Sequence, residues 1–474
     1  MSQTPMSQTP MSQTSSSQTL IKNATIISMD PSLGDPAVGE ITGGDILIDG
    51  ALIAQVGSEL SAPEAQVIDA RNMIAIPGLI NAHLHTWETA LRGIGGDWAG
   101  REYFRIVHAG LAPIYTPEDT YLGNLAGALS QLDAGTTTLF DWCHNNATPA
   151  HSDAAIDALF ESGVRALFGH GTVKPDPKEG EPHYSTIPHP ASEIKRLRTG
   201  RLSSDDALVT LAMAILGSDY ATLEVALHDF RLAREWDLIS SAHIWGDASR
   251  LVPDGYAILK KEGLLGPKHN IVHGNYLGDD ELALIVDSGA SVTATPPVEM
   301  QKHPAQSLCG RVLRLGGKPS IGADIEIYAA GDMFHTMRFA LQSQRIFDNV
   351  AFAASGTAAS AKEEKTILPA FEALAWATIN NARALGMESR IGSITPGKQA
   401  DIVLLRTDSL NMMPVNDPVQ AVVFQAGREN VDTVFVAGKK MKENGKLLRA
   451  GEELSSLKER LSASAERLLS HKNG

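Results

Sequence analysis

From Ile76 to Ile325 the chain repeats one pattern: a short, nearly unbroken apolar run, then an amphipathic stretch of helical period. The runs fall at 76–85, 136–143, 164–172, 207–216, 238–245, 270–277, 291–297 and 319–325. Segments such as 118–133, 153–162, 221–235 and 279–288 read as helices between them. Strands without polar alternation are buried on both faces, as in a parallel sheet. Strand and helix in strict alternation make an α/β fold, and eight repeats over about 250 residues predict a (β/α)8 barrel of the TIM type. An open doubly wound sheet would carry a glycine-rich phosphate loop after its first strand. Here that strand runs into HLHTWETALRG instead.

Strand-rich pieces lie on both sides of this region: LIKNATIISMD, DILIDGALIAQVG and AQVIDARNMIAIPG before it, ADIVLLRT, QAVVFQA and VDTVFVAGKKM after it. Asp49-Gly50 between two apolar runs signals a hairpin. The expected organisation is a small composite β-sandwich from 19–76 and 396–445, with a barrel domain at 77–395 inserted between its halves. Residues 370–385 read as one helix, and 446–474 as a C-terminal helix with its apolar pattern over 454–469. The first 18 residues, MSQTPMSQTPMSQTSSSQ, repeat Ser, Gln, Thr and Pro. They have almost nothing to bury and are expected to be a disordered tail, without the basic start and apolar stretch of a secretory signal.

Charge and cysteine content narrow the setting. Lys plus Arg is 40 against 55 Asp plus Glu, a net charge of −15, whereas a nucleic acid or an anionic membrane calls for a basic face. No apolar run reaches the roughly 18 residues of a membrane span. Cys143 and Cys309 are the only cysteines, a usage that fits a reducing cytoplasm.

Chemistry in such barrels gathers at the C-terminal ends of the strands. The reactive side chains there are His83, His85, Asp141, His170, His243, His273 and Asp324. Five of the 15 histidines of the chain fall at these ends, more than scatter would place. His83 and His85 are two apart on one strand and point the same way, an arrangement suited to chelating a divalent ion. Alone, such a pair more often marks a surface or the edge of a core than a metal site, and a lone histidine such as His243 or His273 is more often a core histidine than a ligand. Asp324 ends the last strand, where a buried carboxylate is costly unless paired or bound to metal. Taken together, in strand order, these residues point to a metal centre.

PGLINAHLH, HIW, IVHGNYL, GADIEIYAAGDMF and TPGKQADIVLL resemble the metal-dependent amidohydrolase superfamily. The nearest branch holds guanine, cytosine and S-adenosylhomocysteine deaminases and the triazine hydrolases. The resemblance runs from Leu20 to about Met441 and implies the same barrel with a composite β-sandwich. Carried over by position, it implies that His83, His85, His243 and Asp324 hold one divalent ion, zinc first, with iron, cobalt or manganese as alternatives. It further implies that His273 polarises the substrate and that Asp324 takes a proton from the attacking water. Binuclear relatives keep a carboxylated lysine at the end of the fourth strand, and LVTLAMAIL has none, so one ion per chain is expected.

One departure bears on the reaction. In the deaminase branch the strand-five histidine is followed three residues later by a glutamate that protonates the ring nitrogen. Here that position is Gly246, with Asp247 beside it. The expected activity is therefore hydrolysis of a non-peptide C–N bond, such as an amide, urea or carbamate, in a small ring-containing substrate. The alternative is a heterocycle deaminase that uses Asp247 as the acid, and a remote one is a metal-free assembly protein, which would not need all four ligand positions filled.

Further candidates for substrate contact are Trp87 and Trp98 in the loop after the first strand, His170, Asp247, and Glu299 and His303 after the seventh strand. Tyr115 and His108 lie in a cap region, Cys143 reads as a buried structural thiol, and Lys174 to His189 reads as a long exposed loop or lid. A small-molecule substrate and a homodimer or homotetramer are the expected partners.

Overall fold

The structure is a computed structural model that describes residues 18–175, 177–303, 305–356 and 368–471. Residues 1–17 of the N-terminal repeat lie outside the described residues, and Gln18 already opens a strand. Two sheets organise the chain.

The first is built from both ends. Its N-terminal strands are β1 (Gln18–Ile27), β2 (Glu40–Asp49), β3 (Leu52–Gly57), β4 (Gln66–Asp69) and β5 (Met73–Pro77). After the barrel strands, β6 to β13, come β14 (Ile402–Arg406), β15 (Val431–Val436), β16 (Lys439–Glu443) and β17 (Lys446–Leu447). The two halves join where β5 pairs antiparallel with β14, Pro77 opposite Ile402. Asp49 faces Leu52 across the expected hairpin, with Gly50 at φ +57°. Ile21, Ile46, Ile48, Ile402, Leu404 and Phe435 form the core of this composite sandwich.

The second sheet is the barrel: β6 (Leu79–Leu84), β7 (Thr136–Cys143), β8 (Arg165–Gly171), β9 (Val209–Ile215), β10 (Ser240–Ile244), β11 (His269–His273), β12 (Ser291–Ala294) and β13 (Ser320–Ile321). Each strand pairs in parallel with the next in chain order. The ring closes through a bridge between Leu84 and Asp324. Asp324 N–H donates to the His83 carbonyl at 2.9 Å and His85 N–H to the Asp324 carbonyl at 2.8 Å. Gly322 permits this seam, because a Cβ there would lie 2.8 Å from the His83 nitrogen. Closure of the barrel therefore sets Asp324 beside both histidines.

The intervening helices carry their own start signals. Pro117–Asp133 begins with a Thr116–Asp119 capping box and Pro117 in its first turn, the pattern that satisfies free N–H groups at a helix start. The C-terminal helix, Gly451–Ser470, packs on it through Ser464 Oγ, which donates to Asp119 Oδ1 at 2.6 Å. No helix of the described residues is long and apolar enough to cross a membrane.

Two expectations are corrected. QAVVFQA is helical over Pro418–Gln420 and Ala421–Gln425, not a strand. Asp417 caps its start, accepting from Gln420 N–H, and Val422 and Val423 are buried, so the cap and Pro418 override a β-branched run. Residues 370–385 form two helices, Ala370–Trp376 and Ile379–Ala384. They break at Thr378, where the Ala377 carbonyl turns to accept from Ile80 N–H at 2.9 Å.

Candidate active site

At the C-terminal mouth of the barrel, β6 presents His83 and, one residue past its end, His85, while β10 presents His243. The seam supplies Asp324. Donor atoms of these four side chains all lie within 4.8 Å of one another. Asp324 Oδ1 is 3.1 Å from His83 Nε2 and 3.4 Å from His85 Nε2, and the Nε2 atoms of His83 and His243 are 3.2 Å apart. His273 ends β11, and its Nε2 stands 3.9 Å from Asp324 Oδ2. The backbone of His273 (φ +72°) and of Asp324 (φ +64°) is left-handed, a conformation costing non-glycine residues energy and concentrated at functional sites.

Surrounding groups orient these donors. His85 Nδ1 faces the Trp142 carbonyl at 2.8 Å, which leaves Nε2 directed at the cluster, the usual way a ligating imidazole is held. His273 Nδ1 lies 3.1 Å from Thr295 Oγ1 and 3.3 Å from Glu299 Oε1, and Glu299 also accepts from Thr295 N–H at 2.7 Å. Burial pushes His83 down to about 3, and burial with the neighbouring His83 holds His243 well below the usual imidazole value. Burial alone would raise the Asp324 carboxyl, but hydrogen bonds to His83 and His85 hold it well below the ordinary carboxylate range. Neutral imidazoles with an ionised carboxylate are the donor state a divalent cation requires. Three nitrogens and a carboxylate suit zinc, iron, cobalt or manganese alike.

The cluster opens into a cavity of about 840 Å³. Tyr103, Phe104, Tyr184, Tyr220, Trp245 and Tyr328 give it aromatic walls. Among the described residues its lining includes Asp247 and His303 but not Trp87, Trp98, His170 or Glu299. Trp87 is buried against Tyr115 and donates from Nε1 to His144 Nδ1 at 3.1 Å. The Trp98 carbonyl accepts from Lys302 Nζ. His170 pairs through Nδ1 with His189 Nε2 at 2.9 Å. Glu299 stands behind His273. Cys143 is fully buried, and burial pushes its thiol up, as a structural role requires. The segment read as an exposed loop is pinned at both ends, since Lys174 and His189 are buried, although 177–183 is exposed.

A profile of the amidohydrolase family matches residues 74–441. The chain belongs to this family. Its relatives include a 5-methylthioadenosine/S-adenosylhomocysteine deaminase of Pyrococcus furiosus, 27% identical with 87% of this chain and 94% of that one covered. Another is a 5'-deoxyadenosine deaminase of Methanothermobacter thermautotrophicus, 29% identical over 85% of this chain and 90% of that one. Among solved structures, the fold matches a zinc complex of atrazine chlorohydrolase from Arthrobacter aurescens (TM-score 0.81, 22% identity, 94% and 100% covered). It also matches an adenosine deaminase from Xanthomonas campestris with bound zinc (TM-score 0.79, 23% identity, 96% and 99% covered).

The loop after β10 gives the site of this amidohydrolase an individual character. Gly246 has φ +80°, and its N–H, with that of Trp245, donates to Asp219 Oδ2 at 3.1 and 2.9 Å. The Trp245 indole lies flat on His273, ring centroids 4.4 Å apart and planes within 3°. Asp247 Oδ1 accepts from Ser249 N–H at 2.9 Å and Oγ at 2.6 Å, which fixes its carboxylate at the cavity wall.

Residue patterns did not single out Lys174, Tyr103 or Glu88. Lys174 and Tyr103 line the cavity, and Glu88 is fully buried and accepts from Tyr103 Oη at 2.6 Å. A charged residue three positions after the second of two strand-end histidines, in TWETAL, was the available signal for Glu88.

Proposed function

We propose that this amidohydrolase binds one divalent metal ion, zinc foremost, through His83, His85, His243 and Asp324, and hydrolyses a C–N bond of a small ring-containing substrate. The convergence of those four donors at the base of an aromatic-walled cavity carries this reading. An ion held there supplies Lewis acidity and makes hydroxide available near neutral pH. Asp324, ionised and hydrogen-bonded on Oδ1, offers an oxygen to accept the proton of the attacking water and pass it to the leaving group. His273 turns Nε2 toward the reacting atom that gains charge, with its ring clamped between Trp245 and the Thr295–Glu299 pair.

Deamination of a heterocycle is the second reading. The names of the relatives favour it, and Asp247 at the cavity wall is the acid it would use. Both readings place the enzyme in the cytoplasm as a homodimer or homotetramer with no nucleic-acid or membrane partner. Elemental analysis joined to an ammonia- and amine-release screen separates them, using aminopurines, aminopyrimidines, triazines, and aryl amides and ureas. We expect about one metal ion per chain and amine release from an amide or urea. Ammonia from a ring amine would establish the deaminase instead, and absence of metal would overturn both.

A further inference from the structure

Lys174, in the loop after β8, is a buried cation that has no counter-ion among the described residues. The residue is 9% exposed and lines the cavity. No hydrogen bond or ion pair to its ammonium forms among the described residues. Nζ stands over two aromatic faces instead, 5.4 Å from the Trp142 ring centre and 5.2 Å from that of Tyr220. Trp142 is also in contact with the metal-ligand cluster, its ring centre 4.2 Å from that of His243. One indole therefore links the ammonium to the cluster.

The carboxylates and cations around it are otherwise committed. Asp219 accepts from Trp245 and Gly246, Asp247 from Ser249, and Asp324 engages His83 and His85. Glu88 is the acid whose charge Lys174 senses, yet burial pushes its carboxyl well above the usual range. Of the other cations lining the cavity, Arg250 pairs with Glu281 at 2.8 Å, Lys302 donates to the Trp98 carbonyl, and Arg101 is exposed. Burial brings the Lys174 amine down to about 8, with Glu88 opposing.

A buried ammonium is costly without a partner, and aromatic faces return only part of that cost. A ligand that brings its own negative charge supplies the rest. We propose that Lys174 anchors an anionic oxygen of the substrate, a carboxylate or the oxyanion of an acidic ring, while the aromatic walls take the ring itself. This deepens the hydrolase reading, on which it rests, by naming the charge class of the substrate: an anionic, planar molecule rather than a neutral nucleoside-like one.

Titration calorimetry on the metal-loaded full chain tests this without turnover. Two matched pairs serve as probes: benzoate against benzamide for a carboxylate, and 4-nitrophenolate against nitrobenzene for a ring oxyanion. We expect wild type to favour the anion of at least one pair by roughly tenfold to a hundredfold, the worth of one charged hydrogen bond. The pair that shows the preference names the source of the oxyanion. Lys174→Met and Lys174→Gln should abolish the preference and Lys174→Arg should keep part of it, with metal content and unfolding temperature read on each. Equal binding within both pairs, or an anion preference that survives in the Met and Gln variants, would overturn the proposal. Anion preference without C–N hydrolysis on any substrate would instead overturn the hydrolase reading alone.

Discussion

Gly246 and Leu277 leave no room between them for a side chain. A Cβ on residue 246 would lie 2.8 Å from the Leu277 nitrogen and 3.0 Å from its Cα, and the backbone at 246 is left-handed at φ +80°. The position that carries a proton-donating glutamate in deaminases is thus closed by packing as well as by residue type. Gly246→Glu should lose stability by roughly 1–3 kcal/mol from overpacking alone, with more from backbone strain, and should gain no ring-deaminase activity. Chemical denaturation with an ammonia assay checks both. An unfolding midpoint equal to wild type would show that the loop repacks freely and that the vacancy has no steric origin.

Substitutions at His243 and His273 should have different consequences. His243 belongs to the donor cluster, whereas His273 stands 3.9 Å from Asp324 Oδ2 and is held from behind by Thr295 and Glu299. His243→Ala should lose most of the bound metal and its activity with it. His273→Ala should keep the metal and lose turnover by about a hundredfold or more, as removal of one charge-stabilising donor does elsewhere. Metal content per chain measured beside the rate decides the assignment, and metal loss in the His273 variant would make that residue a ligand.

The parts of this site that the sequence made legible are those fixed by strand geometry. His83, His85, His243 and His273 end apolar runs, and parallel strands bring such ends to one mouth. Asp324 was legible for the same reason, although β13 itself is only Ser320–Ile321 and the seam with His83 sets the position. Trp87 and Trp98 were expected as substrate contacts from the loop after the first strand, His170 from a strand end and Glu299 from the segment after the seventh strand. In the structure none of the four lines the cavity: Trp87 donates to His144, His170 pairs with His189 and Glu299 stands behind His273. The direction of each side chain is set by packing that a local stretch of sequence does not display. Lys174 escaped notice for the converse reason: a Pro- and charge-rich stretch reads as solvated, and nothing local reveals that one amine turns inward onto Trp142 and Tyr220.

Glu299 shows how such a brace can be tested. Oε1 accepts from Thr295 N–H at 2.7 Å and lies 3.3 Å from His273 Nδ1, while Oε2 accepts from Asn275 Nδ2 at 3.2 Å. Glu299→Gln replaces one of these acceptors by a donor and removes the charge behind His273. The expected result is a fall of about tenfold to a hundredfold in kcat, typical for groups that orient a site histidine, with KM and metal content little changed. A rise in KM with kcat intact would place Glu299 in substrate binding instead.

Asp141 yields a prediction about pH and stability. It lies fully buried in β7, accepts from Asn124 Nδ2 at 2.6 Å, and is pushed by burial from 3.8 up to about 7. The folded chain therefore holds a proton on this carboxyl that the unfolded chain releases across that interval. By linkage, the contribution of Asp141 to stability is full below the unfolded value and is lost as pH rises toward the folded one. Asp141→Asn removes the titration and should flatten the corresponding part of the stability curve. Denaturation midpoints of both proteins from about pH 4 to about pH 8 should show wild type losing ground to the variant as pH rises, by at most a few kcal/mol in total. Proton uptake by the metal-site histidines is common to both chains and drops out of the difference. A wild-type–variant gap that is constant with pH, or that widens in favour of wild type as pH rises, would mean that Asp141 is ionised in the folded barrel.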